Sequence, residues 1–389
     1  MMELKQRADQ LLAGAVATGA VPGVIAMACD RDGTLYEGAF GERTLGSGKP
    51  MTLDTVVWIA SMTKALTSIA AVQQVERGLL DLDAPAARVL PALGEVKVLT
   101  GFDASGNPTV RPPKRPITLR HLLTHSAGFS YEIWNTDIQK VQAAHGIPGI
   151  TECKRKSLTT PLIADPGERW EYGINIDWAG LMVEQVTGKK LGAVLRENLF
   201  EPLAMTHTAF RITGAMRERL AGIHLRGPDG KLAPFEFEIP QEPEFEMGGG
   251  GLYSTMGDYL RFVRMILNHG QLDGERVLKP ETVVQLGLNH MGNCRVTSLT
   301  AAIPLTNDAE FFPGTRKTWS LAFQVNLDPV FTGRPAGGLM WAGLANSFYW
   351  IDPLNGLGGV YATQIFPFAD AGSVETYYSF ESAVYGSRR

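Results

Sequence analysis

The sequence is poor in cysteine. Only Cys29, Cys153 and Cys294 occur among its 389 residues, and they lie far apart along the chain. Three widely spaced thiols argue against a framework of disulfides, and the absence of a C-x-x-C pair argues against a cysteine metal site. This cysteine usage is typical of a reducing compartment, so we expect a cytoplasmic protein.

The sequence also lacks a strong excess of charge of either sign. The formal net charge is −4, and charged residues make up 20% of the chain. No basic patch indicates a nucleic-acid partner, and no run of like charges indicates a disordered tail. Because 44% of the residues are hydrophobic, we expect a globular protein with a large core, in one large or two interleaved domains.

One long hydrophobic run, from Leu11 to Cys29, has almost no polar side chains. It resembles a membrane span or an export signal, but the residues before it are mixed in charge rather than basic. Pro22 and Gly23 divide the run, which favours a short helix followed by a short strand. We therefore expect a soluble core segment and no membrane attachment.

Several common enzyme signatures are missing. There is no G-x-S-x-G nucleophile elbow and no H-E-x-x-H zinc motif. His121 and His125 have the spacing of metal ligands on a helix, but no third ligand is evident, so we expect them to cap and hydrogen-bond a helix end. Gly248–Gly251 lacks the Lys-Ser/Thr of a phosphate loop and is expected to permit close backbone approach. We predict no metal and no cofactor.

One S-x-x-K motif is present, formed by Ser61 and Lys64 in "WIASMTKALTSIAAVQQVERGLLDLD". Apolar residues recur there at helical spacing, and Gly78 lies where a helix would end. A lysine one turn after a serine on such a helix lies beside its hydroxyl. Chance alone produces about one such motif in a chain of this length, so the motif needs support from the rest of the sequence.

The order of predicted elements indicates an α/β (α+β) fold. Strands and helices occur at both ends of the chain, and helices separated by loops occupy the middle. We predict an α/β domain built from residues 1–85 and 315–389, and a mainly helical inserted domain at residues 86–314 whose loops line the site. Residues 100–116, "TGFDASGNPTVRPPKRP", are predicted to be loop, and Thr255 is predicted to cap a helix.

A set of motifs in a fixed order carries a family resemblance. The motifs are "SMTK", "ITLRHLLTHSAGFSY", "DPGERWEYGINIDWAGLMVEQVTG", "GGGGLYST" and "MWAGLANSFYWIDP". Together they resemble the serine β-lactamase and penicillin-binding-protein superfamily, and within it the family VIII carboxylesterases, which are relatives of class C β-lactamases. "YGINIDWAG" and "GFDASGNP" are also similar to fungal polyketide acyltransferases. The resemblance implies a β-lactamase-like antiparallel sheet flanked by helices.

The resemblance also implies roles for individual residues. Ser61 corresponds to the nucleophile, Lys64 to its partner and Tyr172 to the tyrosine of the Y-x-N or Y-S-x element. Trp341 and Gly343 match the W-x-G that the esterases carry in place of K-T-G. The resemblance thus implies that Ser61, Lys64 and Tyr172 are catalytic and that the backbone N–H groups of Ser61 and Leu344 form the oxyanion hole. It implies that Trp341, Gly343 and Tyr131 contact the substrate.

The chemistry of these residue types is consistent with the resemblance. A serine hydroxyl needs a base in contact, and lysine and tyrosine both titrate near 10 when unperturbed. Packed together, an ammonium and a phenol can share one proton, so that the base becomes available near neutral pH. We expect Tyr172 to take the Ser61 proton while Lys64 stabilises the phenolate; the reverse assignment, with Lys64 as base, stays open.

Two departures from the β-lactamase pattern bear on the substrate. Ile174 occupies the asparagine position of Y-x-N, with Asn175 one residue late, and Trp341 replaces the lysine of K-T-G. Trp341 offers an apolar surface where a β-lactamase has a cation, so a neutral ester is favoured over a β-lactam. Some of the side chains of residues 348–350 are expected to line the same wall.

The sequence thus predicts a serine carboxylesterase that hydrolyses short-to-medium acyl or aryl esters through an acyl-enzyme. Three alternatives remain open: an acyltransferase that passes the acyl group to an alcohol, a β-lactamase or D,D-peptidase, and a non-catalytic binding protein. The expected partners are a small-molecule ester and a water or alcohol acceptor, with no nucleic acid and no membrane.

Overall fold

The computed structural model describes residues 2–387, which form helices around one large sheet and several small ones. The helices are α1 (Met2–Ala17), α2 (Thr63–Glu76), α3 (Leu119–Leu123), α4 (Thr136–His145), α5 (Asn175–Thr187), α6 (Leu191–Leu195), α7 (Gly214–Arg217), α8 (Met256–Leu267), α9 (Pro280–Gln285) and α10 (Ala371–Gly386). The strands are β1 (Gly23–Asp30), β2 (Thr34–Gly41), β3 (Val56–Trp58), β4 (Val98–Phe102), β5 (Pro108–Arg111), β6 (Ile223–Arg226), β7 (Leu232–Phe235), β8 (Tyr253–Thr255), β9 (Gln271–Leu272), β10 (Glu275–Arg276), β11 (Lys317–Trp319), β12 (Gln324–Asn326), β13 (Leu339–Gly343), β14 (Ser347–Asp352), β15 (Leu357–Ala362) and β16 (Ile365–Phe366).

The large sheet joins the two ends of the chain. Its seven strands lie in the order β11-β12-β13-β14-β15-β1-β2, and each neighbouring pair is antiparallel. The hydrophobic run at residues 11–29 is divided as expected, since α1 ends at Ala17 and β1 begins at Gly23. At the turn between β1 and β2, Asp30 Oδ1 accepts the backbone N–H groups of Asp32 and Gly33, both at 3.0 Å.

Helices cover both faces of this sheet. On one face, Phe348 stacks on Tyr377 of α10 with ring centroids 4.5 Å apart. On the other face, Tyr349 contacts Tyr259 of α8 at 5.1 Å. The fold is therefore the mixed α/β arrangement that the resemblance implied, an antiparallel sheet flanked by helices.

Helix α2 lies deeper than its sequence pattern indicated. The pattern predicts an amphipathic helix, yet every residue from 63 to 74 is buried. The reason is that α2 is enclosed on several sides: it packs against α5 and α6, and the turn that precedes it packs against β13 and β14. Small and hydroxyl-bearing residues such as Ala65, Thr67 and Ala71 make this close packing possible.

The range 86–314 differs in two ways from a plain helical insertion. Residues 100–116 were expected to be loop, but they include most of the β4–β5 hairpin. Asp103 Oδ1 builds its turn by accepting the N–H groups of Ser105 and Asn107, both at 2.9 Å. Helix α8 packs against β1 and β15 and therefore lies with the large sheet. The division into two domains stays a prediction.

Among residues 2–387, none of the helices has both the length and the apolar character that crossing a bilayer requires.

Candidate active site

Ser61 lies on a strained turn between a strand and the buried helix α2. Strand β3 pairs with β8, and a 3₁₀ turn, Ala60–Met62, leads directly into α2. Ala60 has φ 45°, which places a non-glycine residue in the left-handed region. Such strain persists only where neighbouring contacts hold it, and it is frequent at functional sites. Trp58 supplies one of these contacts, since its indole Nε1 donates to Gly250 O at 2.7 Å.

The Lys64 amine is buried and points at the serine. Its Nζ lies 3.0 Å from Ser61 Oγ, 3.0 Å from Tyr131 Oη and 2.6 Å from Gly249 O. These three acceptors match the three protons of an ammonium group. Burial lowers the pKa of Lys64 to about 7, although the nearby Asp177 carboxylate opposes this shift. The amine can therefore gain and lose a proton near neutral pH.

Tyr172 completes the group of residues that the sequence predicted. Its Oη accepts a hydrogen bond from Trp341 Nε1 at 2.9 Å. Burial raises the pKa of Tyr172, and hydrogen bonds with Ser61 and Trp341 oppose this rise without cancelling it. The Lys64 Nζ lies 4.7 Å from the centroid of the Tyr172 ring. Tyr172 is thus a neutral phenol at neutral pH.

Close backbone approaches fix the segments that carry these side chains. A Cβ on Gly173, next to Tyr172, would lie 2.3 Å from Phe129 O. A Cβ on Gly343, at the end of β13, would lie 2.3 Å from Ile59 O. Glycine is therefore required at both positions, because real Cβ atoms do not come so close to an oxygen. The end of β13 is held against the turn of Ser61 in this way.

The cleft above Ser61 has an empty volume of about 510 Å³. It is lined by Trp58, Ala60, Ser61, Tyr131, Ile133, Trp134, Ile150, Thr151, Tyr172, Met247, Gly249, Gly250, Leu299, Trp341, Ala342, Leu344 and Phe368. Most of these side chains are apolar, and none of these lining residues is an arginine, a lysine or a carboxylate. The cleft therefore suits an uncharged group.

The structure brings most of the predicted site residues together. Ser61, Tyr131, Tyr172, Trp341 and Leu344 border the cleft, and Lys64 lies beneath Ser61. Their predicted roles, including that of the Ser61 and Leu344 N–H groups as an oxyanion hole, stay predictions.

Gly343 lies behind the cleft, packed against the turn of Ser61, and is not among the lining residues. A contact between Gly343 and the substrate, as the resemblance implied, therefore has no support from its position. The expectation that residues 348–350 contribute to the wall is wrong for a related reason. Helices cover both faces of β14, so alternation along the strand directs its side chains to α8 or α10 instead.

Asn175 does not replace the missing asparagine of Y-x-N. Its side-chain Nδ2 lies 3.1 Å from His125 Nδ1, and it also donates to Phe129 O at 3.3 Å and Glu171 O at 3.1 Å. It therefore braces the segments around Tyr172 from the side away from the cleft. His121 accepts the Thr118 N–H at 3.2 Å through Nδ1 and so caps α3, in agreement with the expected structural role.

The sequence reading missed Asp177 and the role of Gly249. Asp177 is buried on α5, and its Oδ1 accepts the Gly249 N–H at 2.8 Å. The Gly249 carbonyl in turn accepts a hydrogen bond from Lys64. One signal was present in the sequence: an aspartate in the otherwise apolar run "INIDWAGLMV". It was overlooked because an acidic residue in the first turn of a helix is common without any function.

Comparison with known proteins gives the same family for almost the whole chain. The beta-lactamase family profile matches residues 8–383. A lovastatin esterase of Penicillium rubens is 36% identical over 375 residues, which covers 92% of this chain and 92% of that protein. The monacolin J acid methylbutanoyltransferase of Aspergillus terreus is 33% identical over 390 residues, covering 95% and 93%.

Solved structures agree with this result. The unliganded structure of simvastatin synthase from Aspergillus terreus superimposes with a TM-score of 0.86 at 30% identity and covers 98% of both chains.

Proposed function

The chain belongs to the beta-lactamase family, and on that premise we propose that it is a serine carboxylesterase similar to the family VIII esterases. It hydrolyses short-to-medium acyl or aryl esters through an acyl-enzyme on Ser61. Esterase and acyltransferase relatives support ester chemistry in general. The observation that carries the proposal is the buried Lys64 amine, which lies 3.0 Å from Ser61 Oγ and has a lowered pKa.

Acylation begins when neutral Lys64 takes the proton of Ser61 Oγ. The oxygen attacks the ester carbonyl carbon, and a tetrahedral oxyanion forms. When this intermediate collapses, the bond to the leaving alcohol breaks, and the Tyr172 phenol protonates the departing oxygen. The proton held by Lys64 restores the phenol. This assignment reverses our expectation from sequence, because the pKa of Lys64 is lowered whereas that of Tyr172 is raised.

Deacylation repeats these steps with a different nucleophile. A water molecule gives a proton to Lys64 and attacks the acyl carbon, and Ser61 leaves with a proton from Tyr172. The backbone N–H groups of Ser61 and Leu344 stabilise both oxyanions, and one such donor typically contributes about 3 kcal/mol to the transition state. Trp341 supports Tyr172 by donating to its oxygen as charge develops there.

The substrate is an uncharged ester. A carboxylate placed against Trp341 loses its hydration and meets no cation on the lining of the cleft. A neutral acyl or aryl group loses little hydration energy. It gains apolar contact with the side chains of Trp341, Ile133, Ile150 and Leu299. β-Lactams, which carry a carboxylate, are therefore poor substrates.

Transfer of the acyl group to an alcohol is the second candidate. The apolar lining of the cleft favours it, because a bulky alcohol displaces water that such a surface binds weakly. A transferase among the relatives supports it as well. The two activities differ only in the acceptor that attacks the acyl-enzyme.

One experiment separates these functions. Purified protein is mixed with p-nitrophenyl butyrate, with and without an excess of alcohol, and both the burst of nitrophenol and the acylated product are measured. Hydrolysis predicts butyrate, transfer predicts the new ester, and a binding protein predicts neither burst nor product. Comparable kcat/KM values for nitrocefin and the ester would contradict the role given to Trp341.

We also propose a cytoplasmic location. The support is indirect: the three thiols of the chain are free, which fits a reducing environment.

A further inference from the structure

Asp177 is a buried carboxylate next to the catalytic residues. It lies on the first turn of α5, five positions after Tyr172, and its side chain is almost inaccessible to solvent. Oδ1 accepts the Gly249 N–H at 2.8 Å. The buried carboxylate also interacts with the Tyr131 hydroxyl through a side-chain hydrogen bond. A carboxylate buried this deeply is costly even with such partners, so its presence requires an explanation.

Two short paths connect this carboxylate to Lys64. The first runs through one peptide unit, because Gly249 donates its N–H to Asp177 and accepts Lys64 Nζ at its carbonyl over 2.6 Å. The second runs through Tyr131, whose Oη accepts Lys64 Nζ at 3.0 Å. A Cβ built on Gly249 would lie 2.6 Å from Asp177 Oδ2 and 2.8 Å from Tyr131 Oη, so both oxygens border the same glycine.

The other titratable groups around this pair keep their charge state near neutral pH. They are Tyr131, Tyr172, His125 and Cys153, and Glu132 acts on Tyr131 from farther away. Burial raises the pKa values of both phenols and of the thiol, and burial lowers that of the imidazole, so all four are neutral. Burial raises the pKa of Asp177 and lowers that of Lys64, so these are the two groups that can change charge here.

We propose that Asp177 is a positioning residue that holds Lys64 against Ser61 and balances the ammonium formed when Lys64 takes the serine proton. It acts through the Gly249 peptide and the Tyr131 hydroxyl, without touching the substrate. The proposal rests on the proposed function, since it requires Lys64 to exchange a proton with Ser61. It also accounts for the glycine at position 249, where a side chain would separate the carboxylate from Tyr131.

The direction of the effect follows from the charges. The Asp177 carboxylate favours the ammonium form and so raises the pKa of Lys64 against the effect of burial. If its charge is removed, the pKa of Lys64 falls further. The rate rises with pH as the neutral amine appears, and this acid limb of the pH–rate profile then moves to lower pH. The maximal rate also falls, because a less basic amine accepts the serine proton less readily.

The test is the Asp177→Asn variant, which keeps the shape of the side chain and removes its charge. The rate at which a fluorophosphonate modifies Ser61 is measured by intact mass from about pH 5 to 9, the range in which a lysine with a lowered pKa titrates. We expect the acid limb to move down by about one pH unit or more. We expect the plateau rate to fall about tenfold or more. An unmoved limb overturns the proposal.

The matched control is Asp258→Asn. Asp258 is also a buried carboxylate, but it lies on α8 and does not line the cleft. It accepts hydrogen bonds from the His207 N–H and the Thr208 hydroxyl. The Asp258→Asn variant should leave the acid limb of the labelling rate where it is in the wild type. A shift equal to that of Asp177→Asn would show that loss of any buried carboxylate has this effect, which would overturn the proposal. If Asp177→Asn does not fold, the same measurement is made on Tyr131→Phe, which removes one of the two connections. The acid limb should move to lower pH, by a smaller amount than is expected for Asp177→Asn. An unmoved acid limb again overturns the proposal.

Labelling also separates this proposal from the proposed function. Wild-type protein that does not react with the fluorophosphonate contradicts the nucleophile assignment. Wild-type protein that reacts normally, together with an unshifted Asp177→Asn variant, contradicts only the role of Asp177.

Discussion

Two buried clusters of a cation and a carboxylate occur among residues 2–387, and they are built differently. In the active-site cluster (Ser61, Lys64, Tyr131, Tyr172 and Asp177), a peptide unit and a hydroxyl separate the lysine from the aspartate. In the α10 cluster (Arg334, Asp352, Tyr377, Glu381 and Tyr385), Arg334 Nε lies 3.1 Å from Glu381 Oε1, with both side chains fully buried.

The difference between the clusters explains why only the cation of the active-site cluster has a lowered pKa. Arg334 keeps its proton at any accessible pH, and its partner is in direct contact, so this pair has a fixed charge. The Glu381 contact ties the segment before β13 to α10, and Arg334 also contacts Leu339 O at 3.3 Å and the Phe312 ring at 4.9 Å. Among the described residues Lys64 touches no carboxylate directly, so burial outweighs the attraction of Asp177 and lowers the pKa of Lys64 to about 7.

The largest expected effect comes from Ser61→Ala in the active-site cluster. It removes the attacking oxygen, so turnover of p-nitrophenyl butyrate should fall to the background rate. The thermal unfolding midpoint should stay close to that of the wild type, because only one partly exposed oxygen is lost. Turnover above a trace level in the folded variant would contradict the nucleophile assignment.

Lys64→Met should separate activity from stability. It removes the base, and the rate of ester hydrolysis should fall about 1,000-fold, within the usual range for a general base. The free energy of unfolding should fall by less than for Arg334→Met. The lost hydrogen bonds to Tyr131 and Gly249 O and the lost charge facing Asp177 are offset, because a buried amine that is costly to desolvate is removed as well. Both quantities are measured on one preparation, and a loss of stability as large as that of Arg334→Met would contradict this view of the cluster.

Arg334→Met should give the opposite result in the α10 cluster. It leaves Glu381 buried without a cation, and removal of one partner of such a pair typically costs about 3–5 kcal/mol of unfolding free energy. The kcat of the folded fraction should change little, because Arg334 does not line the cleft. Denaturant unfolding and kcat below the transition provide the two readings. Unchanged stability would show that the two clusters do not differ as proposed.

Tyr172→Phe has a smaller expected effect than Lys64→Met. It removes the proton donor to the leaving group and little volume, so kcat should fall about 100-fold, with stability nearly unchanged. The fall in kcat should be smaller for aryl esters with good leaving groups than for alkyl esters, because the oxygen of a good leaving group needs less protonation as it departs. An equal loss for both ester types would mean that Tyr172 acts on Ser61 instead, as the sequence first suggested.

The smallest expected effect is that of Trp341→Phe. The variant keeps an aromatic wall but loses the hydrogen bond of 2.9 Å to Tyr172 Oη. One such bond contributes about 1 kcal/mol, so kcat should fall about 5- to 10-fold while KM for a neutral ester stays similar. A rise in KM without a change in kcat would indicate that the indole only contacts the substrate.

Much of the fold could be predicted from local sequence patterns. The division of residues 11–29 into a helix and strand β1, and the Thr255 cap, follow from breaker and capping residues, which act over short distances. The β4–β5 hairpin was missed because proline and glycine are dense there, and the turn made by Asp103 was read as loop. Burial of α2 on all sides depends on distant segments, which the helical period does not report.

The candidate active site also contains residues that the sequence predicts and one that it does not. The ordered motifs predicted Ser61, Lys64 and Tyr172 as site residues, and the structure places them in contact or close proximity, while their roles stay predictions. Asp177 could not be identified, because its connection to Lys64 passes through Gly249, more than seventy residues farther along the chain. The sequence favours Tyr172 as the base, whereas the proposed function assigns this role to Lys64. The assignments differ because the relative pKa values of the two groups depend on burial, which the motifs do not encode.

The two sides of the cleft leave unequal room for evolutionary change. At Gly343 and Gly249 an added Cβ would meet Ile59 O or Asp177 Oδ2, so a substitution at either position would shift the backbone behind Ser61 or the carboxylate near Lys64. Another part of the wall is formed by side chains, including Ile133 and Leu299, that lie outside the helices and strands. Selection, natural or in the laboratory, can therefore diversify the accepted esters through this wall while the reaction itself is inherited unchanged.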